Sequence, residues 1–256
     1  MTQAVLLSAT DLTVSFGGVK ALSDVDLAIE RGSIHGLIGP NGAGKTTLLN
    51  AISRLVRPSA GGITFDGHDL LSHAPHEIAQ LGIARTFQNL GLIEQATVVD
   101  NVLVGLHTRH PASIIDEVAL VWRRNRAERD ALHAAGGVLK AVALEHVADV
   151  SVKGLSYGTR KNVELARACV GDPKLLMLDE PTAGLNAAEM DRLKTLLLSL
   201  RDTRGVTILI ITHHVEFLVG IADVTTVLDL GRVIAHGTPN QVHRNPRVVS
   251  AYFGSE

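Results

Sequence analysis

Cysteine is nearly absent from these 256 residues: Cys169 stands alone, which excludes an internal disulfide framework and suits a reducing compartment. Aromatics are scarce too, at 3% of the chain, so a core for this length has to be built mainly from Ala, Leu, Val and Ile. No apolar run approaches the ~18 residues that a membrane-spanning helix needs. The most apolar stretches, such as Val206 to Ile211, are short and β-branched. The opening MTQAVLLSATDL has no basic stretch and too short an apolar one for a secretory signal, so export is not expected. An excess of one charge is also missing. The 24 Lys and Arg against 26 Asp and Glu leave −2, and that balance asks for neither nucleic acid nor an anionic membrane as partner.

What is present is a chain of positive mean hydropathy, +0.22, in which short β-branched runs alternate with stretches of helical period. Strands are expected near 5–15, 24–30, 33–38, 62–66, 175–179, 206–212, 224–229 and 232–236. Helices are expected near 44–54, 97–106, 113–134, 157–171, 187–203, 214–220, 238–244 and 246–253. Val25, Leu27 and Ile29 alternate like a half-exposed antiparallel strand, whereas LLMLD and VTILIIT read as buried parallel ones, so the sheet is mixed. Strand signals vanish between Gln88 and Leu155, where the chain turns helical and rich in charge. The expected architecture is α/β: a phosphate-loop NTPase core with a mixed sheet, antiparallel at the edge and parallel in the centre, and an inserted α-helical subdomain. One unit fills 1–256, with the core in 1–87 and 159–256 and the helical part in 88–158.

The stretch GPNGAGKT, Gly39 to Thr46, fits G-x-x-x-x-G-K-[ST] and lies between the strand SIHGLI and the helix KTTLLNAIS. Gly39, Pro40, Asn41, Gly42, Ala43 and Gly44 would wrap backbone N–H groups around a phosphate, aided by the positive end of the helix. Lys45 would reach the β- and γ-phosphates, Thr46 would give its hydroxyl to Mg²⁺, and Thr47 could hold the α-phosphate. Alone, the loop says only nucleoside triphosphate; kinases, GTPases and ATPases all remain open.

KLLMLDEPTAGLN, 174–186, is a buried apolar strand that ends in two adjacent carboxylates. Asp179 can accept from the waters of Mg²⁺, and Glu180, one step further along the pleat, can point the other way at an attacking water as general base. A second anion-type turn lies in LSYGTRKNVELARA: Ser156 is a good N-cap, Gly158 allows close approach, and Val163, Ala166 and Val170 form the rear face of the helix that follows. One nucleotide has little use for two separated cradles in one chain.

GPNGAGKTT, LSYGTRK and LLMLDEPTAGLN, in this order, with Gln88 between and His213 after, resemble the ATP-binding cassette ATPases, the motor subunits of ABC transporters. The resemblance covers nearly the whole chain. It implies that Phe16 stacks on adenine, a contact worth ~1–3 kcal/mol, and that Gln88 senses Mg²⁺ and the attacking water. It makes Leu155, Ser156, Tyr157, Gly158 and Thr159 the signature segment, which contacts the nucleotide held by a second subunit. Ala183, Gly184, Leu185 and Asn186 become the loop that crosses between subunits, and His213 the switch histidine that contacts the γ-phosphate and steadies Glu180. The catalytic set is then Glu180, His213 and Gln88, and the Mg²⁺ set Thr46, Gln88 and Asp179. His214 is a bystander. Three positions depart from the commonest pattern: Tyr157 and Thr159, where LSGGQ has Gly and Gln, and Asn186, where Asp is more frequent.

LSYG, the stretch ARTFQNLGLIEQATVVDNVLVGLH and the ending NPRVVSAYFGSE are similar to the ATPase subunits of bacterial high-affinity branched-chain amino-acid importers. That similarity implies ATP and Mg²⁺ as cofactors and a second ATPase subunit, identical or not. It also implies two membrane permease subunits, an extracytoplasmic substrate-binding protein, and a peripheral place on the cytoplasmic side of the bacterial plasma membrane. No added regulatory domain is expected, nor any nucleic acid. Urea, short amides or another amino acid remain alternative cargoes. A soluble cassette acting on DNA or ribosomes would bring a long coiled coil or two cassettes in one chain, and neither is present.

Overall fold

In the computed structural model the described residues are 4–86, 90–106 and 120–253, without the side chains of 120–128 and 253. Two long strands, β1 (Val5–Phe16) and β2 (Val19–Glu30), form a hairpin. With β4 (Ala60–Phe65) and β5 (His68–Asp69) they make an antiparallel sheet in the order β2-β1-β4-β5. The second sheet runs β10-β9-β3-β8-β7-β6 and consists of β3 (Ile34–Ile38), β6 (Ile83–Arg85), β7 (Leu175–Asp179), β8 (Thr207–Ile211), β9 (Val224–Asp229) and β10 (Arg232–Gly237). All its pairings are parallel except β9 with β10.

The parallel strands are apolar without alternation because both faces are covered. Ile34, Ile38, Leu176, Leu178, Ile208 and Ile210 join one buried cluster; Leu37, Leu175, Met177, Leu209 and Ile211 join the other. The second cluster is closed by α1 (Lys45–Ile52) through Leu48, Leu49 and Ile52, and by the antiparallel sheet through Leu7, Leu12, Val25 and Phe65. The first continues into the helical part without a break. There α2 (Val98–Leu103), α3 (Leu120–Ala141), α4 (Tyr157–Cys169) and α5 (Ala187–Arg204) contribute Val102, Val138, Val163 and Leu197. Short α6 (Val215–Val219), α7 (Pro239–His243) and α8 (Pro246–Phe253) complete the chain.

A mixed sheet and the helical insertion agree with expectation and every expected strand is present, but β1 and β2 stand in a sheet of their own rather than at the edge of the parallel one. Three further features differ. β2 starts at Val19 rather than near 24, because pairing with β1 across the Gly17–Gly18 turn draws polar residues into the strand. β5 and β6 were not expected: each is too short to carry a period, and β6 exists because Ile83 to Arg85 pair with Leu175 to Met177. α3 runs to Ala141 rather than stopping near 134; Ala135, Val138, Leu139 and Val142 form a buried stripe that carries the helix through Gly136 and Gly137. Its expected start at 113 lies outside the described residues.

Candidate nucleotide site

The loop between β3 and α1 admits no side chain at its first position: Gly39 has φ +154, and a Cβ there would run into the Leu228 carbonyl oxygen. The Lys45 ammonium donates to the carbonyl oxygens of Gly39 and Pro40, at 2.6 and 2.9 Å. Burial holds its pKa below the ordinary lysine range, while the carboxylates of Glu180 and Asp179 pull it back up. Asn41, Gly42, Ala43, Gly44, Lys45, Thr46 and Thr47 border an open cavity of about 240 Å³ together with Ala21, Asp179, Glu180 and Ile211. The strand ends thus bring both carboxylates to the phosphate loop, as a parallel sheet does when its ligand sits at the carboxyl ends of the strands.

Asp179 closes β7 in a buried ion pair. Arg85 Nη2 lies 3.1 Å from Asp179 Oδ2, and Arg85 Nη1 donates to Asn50 Oδ1 of α1 at 2.7 Å. Glu180 breaks the strand alternation that would have sent it away from Asp179. Its φ of +51 is left-handed, and both residues border the same cavity. His213 follows β8 and places Nδ1 3.0 Å from Glu180 Oε2, though without the alignment of a hydrogen bond. The neighbouring ring of His214 lies 4.3 Å away, centroid to centroid.

Phe16 sits at the hairpin end of β1 opposite Val19, half exposed and outside the cavity lining; Ala21 of β2 is the hairpin residue that reaches the cavity. Gln88 lies outside the described residues. Leu155, Ser156, Tyr157, Gly158 and Thr159 contribute nothing to the lining of that cavity, although Tyr157 borders a neighbouring one with Asp179, Glu180 and His213. Ser156 caps α4, its hydroxyl accepting from the Thr159 N–H at 3.2 Å and standing 2.9 Å from Thr159 Oγ1. At Gly158 a Cβ would come within 2.5 Å of Glu189 Oε1 and would have to displace that side chain. Asn186 is the N-cap of α5: its side chain accepts from Glu189 N at 3.0 Å, and Glu189 returns a bond to the Asn186 N–H.

Two residues that the motifs did not single out bind these parts together. Lys161 donates to the carbonyls of Pro181 and Ala183, at 3.0 and 2.7 Å, and lies 5.3 Å from the Tyr157 ring. Its only sequence signal is its place one helical turn after Tyr157. Arg85 carried none, since a charge inside a three-residue strand looks like surface.

The phosphate loop and the carboxylate pair at the end of a parallel strand border one cleft, and a histidine stands 3.0 Å from the second carboxylate. A model of the family described as "ABC transporter" matches residues 22–183, which span the loop, the signature turn and the carboxylates. The chain belongs to the ABC transporter family. The cassette's final segment, 232–256, matches a second model, "Branched-chain amino acid ATP-binding cassette transporter". It is 39% identical over 97% of its length to the high-affinity branched-chain amino acid transport ATP-binding protein BraF of Pseudomonas aeruginosa, covering 98% of that protein. The protein of the same description, LivG of Escherichia coli, is 37% identical with the same coverages. Among solved structures, an ABC transporter's ATP-binding cassette in its ADP conformation superposes with a TM-score of 0.86 at 30% identity, covering 99% of this chain and all of that one. The chain is an ABC-type ATPase.

Proposed function

We propose that this cassette energises uptake of branched-chain amino acids, paired with a second ATPase subunit and docked on two membrane permease subunits served by an extracytoplasmic binding protein. The observation that carries the cargo is near-full-length identity to BraF and LivG, reinforced by the matching 232–256 segment. Among the described residues no helix is long and apolar enough to cross a membrane, and the similarity to transport ATP-binding proteins supports peripheral attachment at the cytoplasmic face through the permeases.

Lys45 gives up its Gly39 and Pro40 carbonyls to bind the β- and γ-phosphates, a rearrangement within the reach of one side chain. Glu180 takes the proton of the attacking water, steadied by His213, with Gln88 beside the water. Thr46 and Asp179, with Gln88, offer only oxygen ligands, and no cluster of His, Cys, Asp or Glu among the described residues could hold an ion alone. That set fits Mg²⁺, which completes its shell with phosphate oxygens and water. When bound, the ion neutralises charge on the phosphates. Phe16 serves as the stacking face for the base. Ser156 and Gly158, standing away from this cleft, serve the partner's γ-phosphate, and residues 183–186 pass between the subunits.

Affinity purification of the intact complex from membranes, followed by identification of the associated binding protein and its ligand, tests the cargo. Leucine, isoleucine or valine is expected; a binding protein that ignores all three would overturn it.

A further inference from the structure

A lysine near the start of a helix ordinarily lays its stem along the surface and keeps its ammonium in water. Lys161, in the second turn of α4, does otherwise. Its ammonium donates to the carbonyl oxygens of Glu180, Pro181 and Ala183, at 3.3, 3.0 and 2.7 Å, so each of its three protons has an acceptor in the chain that follows β7. That chain needs holding. Glu180 has φ +51, a left-handed backbone that a residue with a Cβ keeps only when its surroundings enforce it. Its N–H is fixed by the Ile211 carbonyl oxygen of β8 at 2.9 Å, and its carbonyl oxygen by the Ala183 N–H at 3.2 Å together with the Lys161 ammonium. The ammonium also lies 5.3 Å from the centroid of the Tyr157 ring, and that ring stands against Gly184, where a Cβ would come within 3.0 Å of Tyr157 Cε1. Lys161, Tyr157, Glu180, Pro181 and Ala183 border one cavity of about 220 Å³ with Asp179 and His213. Asp179 and Glu180 line both this cavity and the one at the phosphate loop.

We infer that Lys161 is a positioning residue for hydrolysis: by holding the carbonyls of residues 180, 181 and 183 it fixes the left-handed backbone that keeps the Glu180 carboxylate beside Asp179 and His213. Without the ammonium, Glu180 relaxes towards an ordinary backbone conformation, and its side chain loses its aim. The effect falls on the rate of the chemical step and not on nucleotide binding, because Lys161 contributes nothing to the lining of the cavity at the phosphate loop. This rests on the reading of Glu180 as general base.

The test places Lys161→Met, Lys161→Arg, Glu180→Gln and the pair Lys161→Met with Glu180→Gln in the complete transporter, and measures single-turnover hydrolysis and ATP affinity on each. Lys161→Met keeps an apolar stem and removes every donor; it is expected to slow hydrolysis about 10- to 100-fold, the worth of a hydrogen bond to a charged group, with ATP affinity unchanged. Lys161→Arg keeps charged donors and should hydrolyse within about threefold of the wild type. Lys161→Met should add nothing to Glu180→Gln. Where Lys161→Met does not assemble, Lys161→Gln takes its place and should show the same split with a smaller loss. Unimpaired hydrolysis by Lys161→Met, or by Lys161→Gln in its place, beside an inactive Glu180→Gln would overturn the role of Lys161 alone. So would a loss matched by weaker ATP binding, equal losses in both backgrounds, or an arginine variant as slow as the methionine one, since each marks a structural effect. Normal turnover by Glu180→Gln would remove the general-base reading and this inference with it.

Discussion

Lys45 holds a half-buried ammonium on two carbonyls of its own loop, so phosphate binding exchanges one set of acceptors for a charged one. The difference between those acceptors is the gain that a Lys45→Ala variant gives up, about 1.5–3 kcal/mol for hydrogen bonds to charged groups. Titration of the variant with a fluorescent ATP analogue should therefore show roughly a 10- to 100-fold weaker dissociation constant. The same chemistry explains what was legible at residue scale. A phosphate loop must be written in glycine, lysine and threonine, so Gly39 to Thr47 can be read directly. Arg85 acts through a partner 94 positions away, and no local pattern records that.

Helix starts and strand ends are the elements that fix the site. Asn186 caps α5 at the place where the family pattern more often has Asp, and the bond it accepts from Glu189 N needs only a side-chain oxygen. Asn186→Ala should cost ~1 kcal/mol of stability, seen as a lower midpoint in urea unfolding. Arg85 ties β6 to the end of β7 and to α1 in a pair that is nearly fully buried. Arg85→Met leaves Asp179 without that charge and should cost ~3–5 kcal/mol in the same assay, well beyond the cap. The parallel strands and the capped helices could be read from sequence because their period and caps are local. β6 could not, since pairing with β7 creates it, and neither could the left-handed backbone at Glu180 that brings both carboxylates to one cavity.

At the scale of the whole molecule, the parallel sheet carries a histidine in its interior. His35 of β3 is buried, bonded through Nε2 to Thr226 Oγ1 at 2.9 Å, and Thr226 Oγ1 in turn meets His236 Nδ1 at 3.0 Å. Burial, with His236 adding to it, lowers the pKa of His35 to about 3. The unfolded chain takes up a proton on this residue below about pH 6.5 and the folded chain does not until far lower, so this contribution is complete above pH 6.5 and is lost as pH falls towards 3. Thermal unfolding should show a lower Tm at pH 5 than at pH 7, and His35→Asn should reduce that difference.

The helical insertion and the sheet share one buried cluster, so the strand ends that carry the carboxylates and the helical part belong to one packed body. The central claim is that Glu180 hydrolyses ATP to drive branched-chain amino-acid uptake, and radiolabelled leucine uptake into proteoliposomes tests it most directly. The vesicles would hold the complete transporter, with either the wild-type chain or Glu180→Gln. Sustained ATP-dependent uptake with the wild type, and loss of that sustained uptake in Glu180→Gln with ATP still bound, is the predicted result. Equal uptake with both chains, or none with the wild type, would contradict it.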